Sequence, residues 1–527
     1  MKRDDLVHGA VPVIAAAFLI LAYFTIKHAL HVATLGGLAA ALFLFCLPAA
    51  ARRDMAGRCL FIVVGMPIIG WSFTNPWLLY LVMCLWVPMV ALRIDKIVPV
   101  YLFSLLMLPG LDSTAAIGAL KLFDFGVHDA LAIGAAIALF LNPAKARSNW
   151  LIDLPACALL LLLAAALARD TSFSNFLRSS SNVILDLGLP YYIVSRGIRT
   201  MKECKAVLLW LGCGGTVLSA ILFYEFIRFW PIYNELYVNY ELSTLLLVKS
   251  RGGFLRAGGP FVESTSAAMI LAICVLALSL CRNQFRTRWY FFAAMAFCCV
   301  GLVAPQSRGA WVGLFFAMAA AEIYRRRYFQ LSVGALVVAA GIALIAVGAQ
   351  FSSSFSESIG LSGNSSDTSD YRRLLLMRGL QEFSNSPLIG FSLPEAQWRL
   401  HDLIQGEGIV DFVNSYVWIM MISGIVGLAV FIWAFVFFII RSLAFRPSRR
   451  KRYDDAEVPA FIFSSLVMMM EMLFFTSFGT RPAIFVFGLF GFSAAFLKIA
   501  HLRAHRRSPV ARLPETPAPV SSAKAAF

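Results

Sequence analysis

Three short stretches of the sequence set arginine beside glycine in an otherwise apolar chain. SRGGFLRAGGPF carries Arg251 and Arg256, PQSRGAW carries Arg308, and YRRLLLMRGLQEF carries Arg372, Arg373 and Arg378, with Arg399 further on. A guanidinium is planar, keeps its charge at physiological pH and presents a fork of donors that matches phosphate oxygens two at a time. Gly258, Gly259 and Gly309 stand next to these arginines, and residues without a Cβ let a ligand approach the main chain closely. The chemistry that suits this set is the holding of a fixed anion. The competing reading of Arg308 is a side chain that snorkels to lipid phosphates. A cavity-facing Arg308 is the sharper reading, because a guanidinium in a short turn between two apolar segments is costly without a partner.

Groups able to move a proton are fewer. His401, Asp402, Glu407 and Asp411 follow a segment whose Pro387, Gly390 and Pro394 mark turns. A single histidine in a loop is more often incidental than catalytic, and His401 enters as a candidate on that footing. Asp124, His128 and Asp129 lie near the outer end of one apolar segment, and Glu471 sits deep in another. A proton-coupled transporter would use such groups, but these are too scattered to compose a relay. Glu263 falls in the first turn after Arg256, where it can pair with that arginine. The ten cysteines lie mostly inside apolar stretches and form no CxxC pair. They read as small buried apolar residues, with no disulfide framework and no zinc site.

The elements that position these residues must be membrane helices. Of the 527 residues, 60% are hydrophobic and 14% charged, and the mean hydropathy is +0.77. A soluble domain is roughly 45–50% apolar and about 25% charged, and no water-soluble core could hide this much apolar surface. Apolar segments recur along the chain at a length near the roughly 20 residues that a spanning helix needs. They predict an all-α, polytopic transmembrane helical bundle of about 12–16 spans. Two segments are interrupted: 98–118 by Pro109, Gly110 and Asp112, and 181–195 by Asp186 and Pro190. Met1 to Asp5 and the apolar run after them read as the start of the first span rather than a cleaved leader.

The net charge of +16 is not a nucleic-acid signal, because the basic residues sit in short clusters between apolar runs. Placing Arg52/Arg53, Arg93/Lys96, Lys145/Arg147, Arg196 to Lys205, Arg282 to Arg288, Arg325 to Arg327 and Arg441 to Arg452 inside is self-consistent. Both termini are then cytoplasmic, and 228–259 and 351–411 lie outside. The larger outer loop opens with a Ser-rich stretch. It continues as an amphipathic helix, with Leu374, Leu375, Met377, Leu380 and Phe383 beside basic residues. The chain divides into N-terminal transmembrane helices (1–249), a core with its outer loop 351–411 (250–440), C-terminal helices (441–500) and a disordered cytoplasmic tail (501–527).

Taken in order, RAGGPFVESTSAAMIL, PQSRGAWVGL, YRRLLLMRGLQEFSNSPLIGFS and FVNSYVWIMMISGIVGLAVF resemble the O-antigen ligase and O-antigen polymerase superfamily over roughly residues 250–440. The resemblance implies a metal-independent glycosyltransferase of the bacterial inner membrane, without cofactor, whose active site faces the periplasm. It implies an undecaprenyl-diphosphate-linked oligosaccharide donor, a glycan or lipid-core acceptor and surrounding membrane lipids, and it leaves open a regulator of chain length. By motif position, Arg256 and Arg308 would bind the diphosphate and aid its departure. Arg251, Arg372, Arg373 and Arg378 would add contacts. Many ligases of the superfamily carry a His-Asn pair just before the helix that follows the outer loop, and the histidine is the candidate base. Here that pair reads Val413 and Asn414, so His401, Asp411 or another acid must supply the base. The departure tilts the reading from ligase towards a polymerase of repeat units. The alternative is a lipid-linked oligosaccharide flippase or another transporter, which calls for basic residues lining a cavity at mid-membrane depth.

Overall fold

The computed structural model describes residues 26–118, 120–143, 149–242, 248–251, 253–351, 365–404, 410–447 and 456–507. The start of the first apolar segment, the Ser-rich stretch 352–364, Glu407 and the tail beyond Arg507 lie outside the described residues. The chain is a helical bundle with little strand, an all-α polytopic membrane protein. Six described helices are long and apolar enough to cross a bilayer: Ile26–Phe45, Ala49–Ser72, Trp150–Leu167, Met201–Arg228, Ser415–Leu443 and Arg481–Arg503. Pro76–Ala91 and Ile94–Ser104, bent against each other by 114°, make a seventh if taken as one span. Val127–Phe140, Ser264–Leu280, Arg288–Gly301 and Tyr328–Gly341 are apolar but shorter.

Hydropathy counts every apolar run, whereas a crossing needs an unbroken helix, and this separates the two tallies. The run 98–118 is such a case. Its helix stops at Ser104, and the chain turns through Pro109 and Gly110 into an antiparallel hairpin, Ser113–Ile117 with Leu120–Phe125. A local signal accompanies it. Lys121 and Asp124 interrupt the apolar residues Leu122, Phe123 and Phe125, and Gly118 takes the left-handed φ of +61° that the turn requires. The run 181–195 stays helical throughout and contains a π-helical turn at Val183–Gly188 that carries Asp186.

Two helices form the centre. Met201–Arg228 has 83% of its most apolar window buried, and Arg481–Arg503 has 94%. Without a hydrophobic drive between helices in lipid, close packing at small residues must hold them. Gly215 of the first abuts Cys274 of Ser264–Leu280, so closely that a Cβ would overlap it. Gly301, at the end of Arg288–Gly301, meets Ser219 in the same way. These contacts fix the helices beside the PQSRGAW turn.

The outer segment has its own small core. Leu375, Phe391, Ala396, Leu400, Leu403, Val410 and Phe412 are buried together against Val417 and Met421. The expected amphipathic helix is present as Ser365–Phe383. Its Leu375 enters this core, while Leu374, Met377 and Leu380 form an exposed apolar face.

Candidate functional site

Arg251 and Arg256 are brought to Arg308 by a short hairpin and a tight turn. Ser250–Arg251 pairs with Phe254–Leu255, and the Arg256 amide donates to the Lys249 carbonyl at 2.9 Å. The hairpin then docks on the turn before Arg308. The Ala257 amide donates to the Ala304 carbonyl at 3.2 Å, Arg251 Nη1 to the Gln306 carbonyl at 3.2 Å, and Arg256 Nε to the Pro305 carbonyl at 3.4 Å. Gln306 returns a bond from Nε2 to the Arg251 carbonyl at 3.5 Å and takes a left-handed φ of +52°. Arg308 opens the helix Arg308–Tyr324. The first two arginine motifs, joined by side-chain bonds that span 49 and 55 residues of sequence, are thus one structure.

The third motif closes over it. Arg372 of the outer helix lies over the Phe475 ring, 5.9 Å from its centroid, and donates through Nη2 to the Phe475 carbonyl at 3.3 Å. Together these residues line a cavity of about 510 Å³, within the usual range for a small-molecule site. Lys249, Arg251, Arg256, Arg308 and Arg372 face it, against Glu263, Asp411 and Glu471. Five cations and three carboxylates leave the lining positive.

The electrostatics favour an anion. Burial pulls the Arg256 guanidinium down to about 10, with Arg251 the next largest cause and Arg372 and Arg308 adding to it. Burial likewise lowers Arg251 and Arg372, and the charge of Arg308 adds to both. All remain charged at neutral pH and repel one another across the cavity, so a bound anion relieves a standing cost. Glu263 offsets Arg256 in part. Its Oε2, however, accepts from the Ser266 hydroxyl at 2.6 Å, and its Oε1 accepts from Thr265 at the helix start.

Asp411 is held at the rim. Its Oδ1 accepts from the Ser477 hydroxyl at 3.0 Å, and its carbonyl accepts from Tyr371 at 2.9 Å. Asn414, three residues on, caps the helix Ser415–Leu443 by accepting from the amides of Tyr416 (2.9 Å) and Val417 (3.2 Å). Ser415 then ties that helix start to the Thr476 carbonyl at 2.6 Å. Val413, at the place where the resemblance expects a histidine, lines the cavity. We expect Asn414→Ala to cost about 1 kcal/mol of stability and to lower turnover as well, because the cap sets the path from Asp411 to the helix. Unfolding in mixed micelles, run beside an activity assay, checks both.

The remaining candidates lie elsewhere. Arg373 is exposed and absent from the cavity lining. Arg378 turns to Asp402, Nε to Oδ2 at 3.0 Å, and to Gln381. His401 is exposed, stacks on Trp398 and bonds through Nδ1 to the Trp398 carbonyl at 2.8 Å. Arg399 is taken up by Glu382 and Glu395. Hydropathy puts Glu471 in a span and gives no sign that it reaches this cavity. Its carboxylate presses on Gly313 and accepts no hydrogen bond at either oxygen, and both oxygens are shut from solvent.

The PLIG and GIVG stretches meet each other beneath the outer segment. The Ile425 amide donates to the Pro387 carbonyl at 2.9 Å, and the Phe391 amide to the Met421 carbonyl at 2.7 Å. Gly390 and Gly424 both take positive φ and approach so closely that neither admits a Cβ. Arg169 clamps the turn from another helix end, donating to the carbonyls of Ile389 (2.6 Å) and Gly390 (2.9 Å). These motifs are scaffold, and they fix where the outer helix and Arg372 sit.

Residues 293–432 match the O-antigen ligase family. The matched segment includes Arg308, Arg372, Asp411 and the paired PLIG and GIVG stretches, while Arg251, Arg256 and Glu471 lie outside it. No curated protein matches the chain.

Proposed function

We propose that this chain, which carries an O-antigen ligase domain at residues 293–432, transfers or polymerises an undecaprenyl-diphosphate-linked glycan. The domain supports the O-antigen ligase and polymerase superfamily and a membrane enzyme of that glycosyl-transferring type. The observation that carries the finer reading is the convergence of Arg251, Arg256, Arg308 and Arg372 on one cavity. An acceptor hydroxyl attacks the anomeric carbon of the donor, and the bond from that carbon to the diphosphate oxygen breaks. The electron pair leaves with undecaprenyl diphosphate, and the hydroxyl proton passes to a base. The fixed guanidiniums stabilise the charge growing on the leaving diphosphate without a reorganisation cost at the moment of reaction.

Asp411 is the base in this reading. It is half-buried at the rim and held by Ser477, whereas the oxygens of Glu471 are shut from solvent. Geometry comes before acidity in choosing a base. The clustering of basic loops on the opposite side supports a cavity that faces the periplasm, where lipid-linked rather than nucleotide-linked sugars are the donors. Val413 in place of a histidine favours a polymerase of repeat units over a ligase.

Purified protein in nanodiscs, supplied with undecaprenyl-diphosphate-linked repeat units, tests the assignment. Longer lipid-linked glycan and released undecaprenyl diphosphate are the expected products. Transfer only after addition of lipid A core would make the enzyme a ligase, and tight donor binding without any turnover would favour a flippase. In the same assay Arg378→Ala and His401→Ala should each retain activity within about threefold, as surface substitutions away from a site do. A loss beyond tenfold would return them to the site.

A further inference from the structure

A second cluster of polar side chains lies outside the arginine cavity and owes nothing to the reading above. His128 and Asp129 sit in the first turn of Val127–Phe140, and Asp186 comes from the π-helical turn Val183–Gly188. His128 Nε2 stands 2.8 Å from Asp186 Oδ1 and 3.5 Å from Asp129 Oδ2. One ligand atom from each of the three lies within 4.8 Å of the others. None of them lines the arginine cavity.

Two features separate this cluster from an ordinary buried ion pair. Asp129 is 2% exposed, and its Oδ1 accepts no hydrogen bond. A buried carboxylate oxygen without a donor is costly, and it faces a second carboxylate of like charge. The neighbours also leave the far edge of the ring unsatisfied, since neither His128 Nδ1 nor Asp112 Oδ1 makes a hydrogen bond. Asp112 Oδ1 lies 3.5 Å from His128 Nδ1, on the ring edge opposite the two other carboxylates. The Gly126 amide donates to Asp129 Oδ2 at 2.9 Å and orients that carboxylate. Gly110 and Gly126 leave the room for this: a Cβ on Gly126 would overlap Asp112 Oδ1, and one on Gly110 would overlap the Arg481 guanidinium.

We propose that His128 Nε2, Asp129 and Asp186 bind a divalent first-row transition cation of the Mn²⁺ or Zn²⁺ class. Donor atoms about 2.0–2.2 Å from such an ion stand about 3.0–3.5 Å from one another; His128 Nε2 stands 2.8 and 3.5 Å from the two carboxylates, and all three atoms lie within 4.8 Å. One imidazole with two carboxylates suits these ions rather than a soft thiolate-bound metal or an all-oxygen calcium site. Asp112 lies on the outer side of the ring, 3.5 Å from His128 Nδ1 but without a hydrogen bond to it, so both atoms are left unpartnered. The charges also close. Three carboxylates, the Arg481 guanidinium and a neutral imidazole leave two negative charges, which one divalent cation cancels. The ion would pin the hairpin Ser113–Phe125, the start of Val127–Phe140 and the π-helical turn to one another.

The probe is Mn²⁺, added to full-length protein in nanodiscs after treatment with chelator and desalting. Free Mn²⁺ is read by electron paramagnetic resonance, with Zn²⁺ as the competitor. We expect one Mn²⁺ per chain, displaced by Zn²⁺, with affinity at least tenfold weaker in His128→Gln and Asp186→Asn and unchanged in Asp402→Asn. A melting temperature that rises with Mn²⁺ in the wild type, and not in the two cluster variants, is the second readout. Asp129→Glu keeps a carboxylate and covers the case in which the other variants fold poorly; it should retain measurable binding. Substoichiometric Mn²⁺, or binding equal in wild type and cluster variants, would overturn the proposal. It would leave a shared proton between Asp129 and Asp186.

Discussion

Arg308→Lys will lower turnover of a diphosphate-linked glycan donor by about 10²-fold or more while the protein still inserts and purifies normally. Lysine keeps the positive charge, so an effect of charge alone would be small. What it loses is the planar fork that grips two phosphate oxygens at once. Arg308 opens its helix at the junction of the 250–257 hairpin and the 302–307 turn, so the backbone that aims it is fixed on both sides. Arg256→Lys should fall into the same class, because Arg256 is half-buried beside Arg251 and its Nε is already committed to the Pro305 carbonyl. The measurement is a comparison of kcat and KM for both variants. A loss mainly in kcat places the interaction in the transition state, whereas a loss confined to KM would make these arginines simple binders.

Asp411→Asn is expected to lower kcat by about 10²–10⁴-fold without weakening the binding of the donor. The amide is the same size and can still accept from Ser477, so the rim should keep its shape. What is lost is the negative charge and, with it, the ability to take the acceptor's proton. Glu471→Gln is the matched comparison. Its carboxylate also lines the cavity, but both oxygens are shut from solvent and accept no hydrogen bond. Its replacement should hold turnover within about tenfold. If the two variants exchange these behaviours, Glu471 is the base. A kcat for Asp411→Asn within about threefold of the wild type would remove Asp411 from the reaction.

Much of the site is legible in the residues, and for physical reasons. Read with the positive-inside rule, the sequence sets Arg251, Arg256, Arg308 and Arg372 apart from most of the basic residues, together with Arg373, Arg378 and Arg399. Arg372 and Arg373 show where that signal ends. They are adjacent on one helix, about 100° apart around its axis, and docking against Phe475 turns the first into the cavity and leaves the second exposed. No feature of the sequence says which way the helix rolls. Ser477 is invisible as a site residue in the sequence, and Glu471 shows only as an acid within a span, because both arrive from a separate helix end. The same holds for Arg169, whose role depends on carbonyls 220 and 221 residues away.

The fold shows the same division. The helical character and the amphipathic outer helix follow from composition and periodicity. The span tally does not, because hydropathy marks apolar runs without showing which form one long helix; the interruption that Pro109 and Gly110 signal is the turn into a hairpin. His128, Asp129 and Asp186 each read, one by one, as polar residues in apolar surroundings. The hairpin that brings Asp112 and Gly126 around them is the part that sequence does not reveal, since its strands lie inside segments dominated by apolar residues.

The central claim is that the cavity is a diphosphate site. Direct binding of undecaprenyl diphosphate and undecaprenyl monophosphate to the protein in nanodiscs, with Arg308→Ala alongside, tests it most directly. The account predicts at least tenfold tighter binding of the diphosphate, weakening with added salt as charge pairing requires, and loss of that preference in the variant. Equal affinity for the two lipids, or a preference that survives Arg308→Ala, would contradict it.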